Sequence, residues 1–301
     1  MRPRLGAGTM ESMDIVPANL PNPIELRDMC VELVTDAAEF VAHQRAFLTK
    51  HGSVAMVSET KSSEVDPVTA VDKGCEARVA QRLAELRPDD GIVGEEGSAV
   101  PTRTGVEWVI DPIDGTVNFI YGIPAYAVSV GVAVNGELVA GAVADVARGV
   151  VYRAAVGEGA SLLADGNGYP LRASRKSQLA TTLLATGFAY DAEWRAKQAE
   201  ILHTVLPVVR DIRRMGSAAL DLCRVAEGSV DAYYEHGTHP WDYAAGAVIA
   251  AEAGAVVSHP GVSDRGGDGA LVTACAPGIA RELAELLHEA GADRDLSLIH
   301  I

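Results

Sequence analysis

Residues 108–116 read Trp-Val-Ile-Asp-Pro-Ile-Asp-Gly-Thr, an apolar tripeptide followed by two carboxylates three positions apart. The run Trp108-Val-Ile110 is typical of a short buried strand, which we expect to end at Asp111-Pro112 because proline lacks a backbone amide donor. Asp114 then lies in a turn that can bend back toward Asp111. Two carboxylates that converge in this way repel each other unless a cation lies between them. The segment therefore predicts a metal site at the edge of a sheet.

Oxygen ligands of this kind select hard cations such as Mg²⁺, Mn²⁺ or Ca²⁺ rather than zinc. Mg²⁺ commonly binds through a few carboxylates plus a phosphate of the substrate. Gly115 and Thr116 would add backbone N–H groups at the start of a helix, where a phosphate is readily held. Taken alone, the same segment also fits a turn in which an aspartate caps a helix.

Three further carboxylate-bearing segments support the metal interpretation. They are Asp66-Pro-Val-Thr-Ala-Val-Asp72, Gly94-Glu-Glu-Gly97 and Trp241-Asp-Tyr-Ala-Ala-Gly246. Each stands at a predicted strand end or helix start, where loops present side chains to a cleft. Each alone is better explained as a solvated acidic loop or as a charge in the first turn of a helix. The four segments together indicate one shared site.

The apolar periodicity changes along the chain. Helical spacing covers residues 24–48 and 69–86, and two strands, 127–134 and 138–143, flank the hairpin signal Asn135-Gly136. With a further strand at 150–155, the first half is predicted to be two helices followed by a largely antiparallel sheet. The second half alternates strands (182–186, near Ile212, 230–234, 255–258, 271–274) with helices (192–205, 217–226, 241–253, 279–289), which favours an α/β arrangement. Asp264 to Gly269 is predicted to be a surface loop.

From these patterns we expect four segments. Residues 1–20 form an N-terminal extension, expected to be disordered, and 293–301 form a tail. Residues 21–175 form an α+β lobe with most of the metal ligands, and 176–292 form an α/β lobe that completes the metal and substrate site.

Composition excludes several classes of protein. Apolar residues make up 48% and charged residues 22% of the chain, which argues against disorder, collagen and coiled coil. The net charge of −16 disfavours broad binding to nucleic acid or to an anionic membrane. No signal peptide or membrane span is evident, and the four cysteines are isolated from one another, so a cytoplasmic location is expected.

The signatures resemble those of the inositol monophosphatase family, among the lithium-sensitive, magnesium-dependent phosphatases, and are closest to its bacterial SuhB-type members. They are Trp108-Val-Ile-Asp-Pro-Ile-Asp-Gly-Thr-Val-Asn-Phe119 and Trp241-Asp-Tyr-Ala-Ala-Gly246, with supporting matches at 61–72, 94–97, 216–219 and 231–235. The resemblance extends from about Ile24 to Glu289. It implies a layered αβαβα sandwich of the sugar-phosphatase type, of mixed α+β and α/β class, and a homodimer.

The resemblance also implies two or three Mg²⁺ ions per subunit, with Mn²⁺ as a substitute and Li⁺ as an inhibitor. One ion would be held by Glu95, Asp111 and the backbone carbonyl of Ile113. A second would be held by Asp111, Asp114 and Asp242, and a weaker third by Glu95 and Asp72. The catalytic residues would be Asp114 together with Glu95 and Thr116, which would position and deprotonate the attacking water.

The same resemblance implies where the substrate binds. Asp114, Gly115 and Thr116 would surround the phosphate. Contacts to the sugar-like alcohol would come from Asp114, Gly216, Ser217, Ala218, Glu235 and Asp242. Lys61 would lie near the site.

The implied reaction is hydrolysis of myo-inositol monophosphate, a small phosphorylated polyol. Fructose 1,6-bisphosphate, histidinol phosphate and an adenosine bisphosphate stay open as alternative substrates. A different class of function is that of a regulatory partner of the transcription machinery. A basic cluster could form the partner surface, although it also fits a solvated or dimer-facing edge; it consists of Arg210, Arg213 and Arg214.

Three other residues invite a functional interpretation. His236 and His239 are spaced like a metal pair, but they stand in a predicted loop with no third nitrogen or sulfur ligand, so a loop or supporting role is expected. Asp221 is predicted to be a charge on a helix surface.

Overall fold

The computed structural model describes residues 21–50, 67–262 and 270–293. The predicted extension 1–20, Lys61, the predicted loop from Asp264 to Gly269 and nearly all of the predicted tail lie outside these ranges. None of the helices in the described ranges is long and apolar enough to cross a membrane.

The first sheet has eight strands in the described chain and is covered by the two helices that precede it. The helices are α1 (Pro23–Lys50) and α2 (Pro67–Leu86). The strands are β1 (Gly91–Gly94), β2 (Ala99–Val100), β3 (Val106–Asp114), β4 (Ala127–Val134), β5 (Glu137–Asp145), β6 (Val150–Ala155), β7 (Ala160–Ala164) and β8 (Asn167–Pro170). Their order is β2-β1-β3-β4-β5-β6-β7-β8, and only the β1–β3 pair is parallel. A short helix, α3 (Thr116–Tyr121), follows β3.

The second sheet has the strand order β10-β9-β11-β13-β12, with β9 parallel to both of its neighbours. Its strands are β9 (Leu183–Thr186), β10 (Asp211–Arg213), β11 (Ala232–His236), β12 (Val256–Ser258) and β13 (Leu271–Cys275). The helices of this part are α4 (Ala192–Val205), α5 (Ala218–Glu227), α6 (Pro240–Glu252) and α7 (Ala280–Glu289).

The elements stack in five layers. Helices α1 and α2 pack on one face of the first sheet, and α5 and α6 pack on its other face and also on the second sheet. Helices α4 and α7 share a buried apolar cluster with strands β9 and β11 on the far side of the second sheet. The predicted αβαβα sandwich is therefore confirmed. The division into lobes at residue 175 stays a prediction, because the α5–α6 layer contacts both sheets.

Small residues let α6 approach the first sheet closely. A Cβ atom at Gly131 on β4 would lie 2.8 Å from the Cβ of Ala244, and one at Gly141 on β5 would lie 2.7 Å from the Cα of Ala245. Both distances are shorter than real Cβ contacts, so glycine is required at these strand positions. The close packing fixes the start of α6 against the sheet that carries β3.

Several predicted elements are confirmed within a few residues. The hairpin between β4 and β5 turns at Asn135 and Gly136, whose φ angles of 53° and 86° are those of the predicted turn. The prediction that the strand ends at Asp111-Pro112 is wrong, because β3 continues to Asp114. A register shift between Asp111 and Asp114 places Pro112 where the ladder with β4 is interrupted, so its missing N–H costs no sheet hydrogen bond.

Asp221 is a second correction. It was expected on a helix surface, but it is buried on α5. Its carboxylate accepts a hydrogen bond from Arg224 at 3.1 Å, and this ion pair makes its burial tolerable.

Candidate active site

Three aspartates from two layers form the centre of the site. Asp111 and Asp114 lie at the end of β3, and Asp242 lies in the first turn of α6. Each offers a carboxylate oxygen, and the three oxygens lie within 4.8 Å of one another. Asp111 and Asp114 are buried. The structure thus brings together carboxylates that are up to 131 positions apart in the numbering.

Asp114 is held by the start of α5. Ser217, the residue that caps this helix, donates its hydroxyl to Asp114 Oδ2 at 2.6 Å, and the amide of Ala219 donates to the same oxygen at 2.7 Å. The amide of Ala218 donates to Asp114 Oδ1 at 3.3 Å. These bonds connect the first sheet to the middle helical layer at the site itself.

Asp242 is held by the start of its own helix. Its Oδ2 accepts a hydrogen bond from the backbone amide of His239 at 2.6 Å. The His239 ring stacks on Trp241 with 4.7 Å between ring centroids. Through its backbone amide, His239 holds the predicted metal ligand Asp242, which agrees with the supporting role expected for it. His236 is buried, and its Nε2 lies 2.5 Å from the carbonyl oxygen of Ala292.

Glu95 follows β1 and lies beside Asp111. The parallel pairing of β1 with β3 sets Gly94 opposite Ile110, and the Glu95 amide donates to the Ile110 carbonyl at 3.3 Å. The carboxyl groups of Glu95 and Asp111 lie close enough for each to change the pKa of the other. Glu95 therefore extends the group of three aspartates to four carboxyl groups.

Glu76, which the sequence reasoning missed, positions the loop that carries Glu95. Its buried carboxylate accepts hydrogen bonds at 2.8 Å from the amides of Glu96 and Ser98. The signal that could have revealed it is an acidic residue on the apolar face of α2, one turn before Val79 and two before Leu83.

Burial is the main reason why the pKa values of these four carboxyl groups are raised. It raises the pKa of Glu95 to about 7, although the interaction with Asp111 opposes the shift. It raises the pKa of Asp114 to about 6 against the bonds from Ser217 and Ala219. For Asp111 and Asp242, burial and then repulsion from the neighbouring carboxylates raise the pKa well above the ordinary range. A divalent cation would remove this repulsion, and the oxygen donors suit Mg²⁺, so the residues fit such an ion.

Residues 113–116 connect these ligands to the predicted phosphate position. The Thr116 hydroxyl donates to the Ile113 carbonyl at 3.0 Å, which is the carbonyl expected to hold one cation. Gly115 has a φ of 91°, and a Cβ there would lie 2.8 Å from the Ala125 carbonyl oxygen, so glycine is required. All four residues, 113–116, line a cavity beside the carboxyl groups.

A cavity of about 430 Å³ opens beside the carboxyl groups. It is also lined by the predicted alcohol-binding residues Gly216, Ser217, Ala218 and Glu235. Glu235 accepts a hydrogen bond from the Tyr233 hydroxyl at 3.0 Å, and burial raises its pKa to about 7. Asp72 is buried on α2 but does not line this cavity, so its expected part in a third cation site stays a prediction.

Sequence reasoning also missed one side of the cavity. Tyr190 and Trp194, from the start of α4 and the loop before it, line the side formed by the second sheet. Arg214 lines it too, whereas its neighbour Arg213 pairs with Asp211 at 2.7 Å. No motif marks Tyr190 and Trp194 in the sequence, and Arg214 was expected only in a basic cluster on a partner-facing or solvated edge.

The sequence profile described as the inositol monophosphatase family matches residues 24–292. The chain belongs to the inositol monophosphatase family. It is 52% identical over 275 residues to the inositol-1-monophosphatase SuhB of Mycobacterium tuberculosis, an alignment that covers 88% of this chain and 94% of that protein. The solved structure of Mycobacterium tuberculosis SuhB superposes with a TM-score of 0.79 at 49% identity, covering 91% of this chain and 99% of that one.

A second group of relatives carries a different name. The Nus factor SuhB of Salmonella typhimurium is 42% identical over 204 residues, which cover 67% of this chain and 75% of that protein. Family membership and the relatives named inositol-1-monophosphatase support a phosphatase of the inositol phosphate type.

Proposed function

We propose that this protein is a Mg²⁺-dependent phosphomonoesterase that hydrolyses myo-inositol monophosphate to inositol and phosphate. The observation that supports this most directly is the meeting of Asp111, Asp114 and Asp242 within 4.8 Å at the edge of the cavity. Such a set of oxygen donors is typical of cation sites that hold a substrate phosphate.

The family resemblance implies how the ligands would divide between two cations. Glu95, Asp111 and the Ile113 carbonyl would hold one ion, and Asp111, Asp114 and Asp242 would hold the second. When bound, divalent cations neutralise phosphoryl oxygens and make a water molecule more acidic. Mn²⁺ prefers the same oxygen ligands and is expected to substitute.

The side chains beside the cations would supply the remaining steps. Glu95, beside the cation that makes a water molecule more acidic, would accept the proton of that water. The Thr116 hydroxyl would orient that water, and the backbone amides of Gly115 and Thr116 would bind phosphate oxygens. Glu235 and the segment 216–218 would bind hydroxyls of the alcohol, because a carboxylate accepts hydrogen bonds from neighbouring hydroxyl groups.

Phosphate release from myo-inositol 1-phosphate, measured with Mg²⁺ and with EDTA, tests this proposal. We expect turnover only with Mg²⁺. The variant Asp114→Asn should lower kcat by at least about 100-fold, since partners outside the ligand sphere alone cost 10- to 100-fold. A folded Asp114→Asn protein with near-normal turnover would contradict the assignment. A clear kcat/KM preference for fructose 1,6-bisphosphate, histidinol phosphate or an adenosine bisphosphate would replace the substrate while keeping the reaction.

A second candidate function is a regulatory partnership with the transcription machinery. It is favoured by the relatives named Nus factor SuhB, which align with 67% of this chain. Capture of transcription elongation factors by the purified protein would support it. If the regulatory role in cells survives the substitution Asp114→Asn, that role does not depend on catalysis.

Three further properties stay predictions from the resemblance. They are the homodimer, the inhibition by Li⁺ and the cytoplasmic location. Sedimentation analysis and assays with LiCl address the first two directly.

A further inference from the structure

Four aromatic side chains line the cavity beside the carboxyl groups, and none of them has a part in the proposed reaction. Phe188, Tyr190 and Trp194 come from the loop after β9 and the first turn of α4, and Trp241 comes from the first turn of α6. Tyr190 is 82% exposed, the highest value among the large apolar side chains in the described ranges. Apolar surface that faces a cavity is typical of a ligand contact.

Helix α4 holds the backbone that carries Tyr190. The Arg195 guanidinium donates to the carbonyl oxygens of Ala189 at 3.2 Å and of Tyr190 at 2.6 Å. The amide of Ala189 donates to Oε1 of the buried Gln198 at 3.0 Å. The loop is thus bonded to two turns of the helix that follows it. This backbone restraint lowers the entropy cost of placing the Tyr190 ring on a ligand.

Two glycines show that these rings stand next to Glu235, the carboxylate predicted to bind hydroxyls of the alcohol. Gly187, three residues before Tyr190, lies against Glu235 so closely that a Cβ there would overlap both carboxylate oxygens. Gly237, two residues after Glu235, has a φ of 77°, and a Cβ there would lie 2.7 Å from Trp194 Cζ3. The Trp194 ring therefore packs on the end of β11, and the loop that carries Tyr190 begins at the Glu235 carboxylate.

A cyclic polyol presents two kinds of surface to such a site. Its hydroxyl groups point outward around the rim of the ring, where a carboxylate such as that of Glu235 accepts their hydrogen bonds. Its faces carry C–H bonds, which need an apolar partner. An aromatic ring suits them, because its negative π face attracts the C–H hydrogens and the contact removes apolar area from water. An acyclic alcohol has no comparable face.

We propose that Tyr190 and Trp194 form an aromatic wall that packs on the C–H face of a cyclic polyol. The wall determines specificity, because it favours phosphomonoesters of cyclic alcohols over those of acyclic alcohols. This inference rests on the proposed phosphatase activity and narrows its substrate class. The bond that is hydrolysed and the groups that hydrolyse it stay the same, since the wall acts only by holding the alcohol.

The test divides kcat/KM for myo-inositol 1-phosphate by kcat/KM for glycerol 1-phosphate, which keeps neighbouring hydroxyls but has no ring. In Tyr190→Ala, this ratio should fall by about 2- to 10-fold, as expected for the loss of one aromatic contact. The fall should come from a higher KM for the cyclic substrate with little change in kcat, because the contact binds the ground state and the transition state equally. Tyr190→Phe keeps the ring and should keep the ratio.

Trp194→Ala should lower the same ratio, and Trp194→Phe should restore part of it. Tyr169→Ala is the matched control, because Tyr169 is exposed on β8 and does not line the cavity. It should leave the ratio unchanged. Since Tyr190 is the more exposed of the two residues of the wall, its variants keep the test free of effects on folding.

An unchanged ratio in Tyr190→Ala would overturn the inference and leave the proposed function intact. An equal fall in Tyr190→Phe would also overturn it, because the hydroxyl group and not the ring would then be responsible. If the wild-type protein releases phosphate from neither substrate, the proposed function fails separately. Calorimetric titration with myo-inositol 1-phosphate then decides the inference: tighter binding to the wild type than to Tyr190→Ala supports it, and equal binding overturns it.

Discussion

At the scale of single residues, the position of Glu95 depends on a carboxylate that is not itself a predicted ligand. Glu76 is 2% exposed and accepts two backbone hydrogen bonds from the loop that follows Glu95. Gly94 leaves room for it, because a Cβ at that residue would lie 2.5 Å from Glu76 Cδ. Glu76 therefore restrains the loop that carries Glu95 both by hydrogen bonds and by close packing.

Glu76→Ala is expected to damage both stability and activity. Two amides lose their acceptor, so the free energy of unfolding should fall by about 1–3 kcal/mol. The loop that holds Glu95 should lose its position, and kcat should fall by about 10- to 100-fold, as for other residues that support metal ligands. Urea unfolding and phosphate release measure the two effects.

Glu85→Ala on the same helix is the control, because Glu85 is exposed and pairs only with Arg82 among the described residues. It should leave both quantities nearly unchanged. Wild-type kcat in Glu76→Ala would show that the loop does not need this restraint.

The residues of the site were predictable to the extent that each stands in a continuous motif. Asp111, Asp114 and Asp242 belong to short segments whose chemistry is readable in one stretch, and the structure brings them together. Glu76 was missed, and Arg214 was assigned to a partner surface rather than to the cavity, because their contacts join residues far apart in the chain. Asp221 was misplaced for the same reason, since the layer that buries it is formed by distant strands and helices.

At the scale of elements, the contacts of Gly131 and Gly141 with α6 set how close Asp242 lies to the first sheet. The helix contacts β3, β4, β5 and β6, and its N-terminal turn carries the aspartate. A change in the spacing between helix and sheet would therefore move a predicted ligand as well as the core.

Gly131→Ala should reduce stability by about 1–3 kcal/mol, because the added methyl group would overlap Ala244 in a packed layer. Activity should fall with it as α6 shifts away from the sheet. Thermal unfolding and kcat provide the measurements.

Gly168→Ala on β8 is the matched control, because there is room for the added methyl group. Its nearest neighbour would be Leu163 Cδ2, at 3.6 Å. We expect a change within about 0.5 kcal/mol there. Equal effects of the two substitutions would refute the close-packing argument.

Most elements were predictable because their patterns are local. The turn at Asn135 and Gly136 and the spacing of α1, α2 and α4 are examples. Strands β1, β2, β7 and β8 escaped prediction because they are two to five residues long, too short to show an alternation of apolar and polar residues. The continuation of β3 through Pro112 depends on a bulge, which only the register with β4 reveals.

At the scale of the whole molecule, an acidic chain places several carboxyl groups where burial opposes their ionisation. The pKa of Glu95 and of Glu235 is raised to about 7, and that of Asp114 to about 6. The folded protein then binds more protons than the unfolded chain between about pH 4 and pH 7. These groups therefore make the free energy of unfolding fall as the pH rises through that window.

Metal removal should make this pH dependence visible. In EDTA, the melting temperature should decrease from pH 5 to pH 8, whereas Mg²⁺ should raise it more at pH 8 than at pH 5, because the cation binds the ionised carboxylates. Calorimetry at both pH values gives the four melting temperatures. Asp114→Asn should weaken the Mg²⁺ effect, and an equal Mg²⁺ effect at both pH values would contradict the argument.

The order of the ligands along the chain has a consequence for biosynthesis. Asp111 and Asp114 leave the ribosome long before Asp242, and their close oxygen cluster is complete only when all three are present. A nascent chain that ends before α6 has its first sheet but neither the third aspartate nor the helix that positions it. A cation that needs all three aspartates would therefore bind only after most of the polypeptide has been synthesised, whereas Glu95, Asp111 and the Ile113 carbonyl are available much earlier.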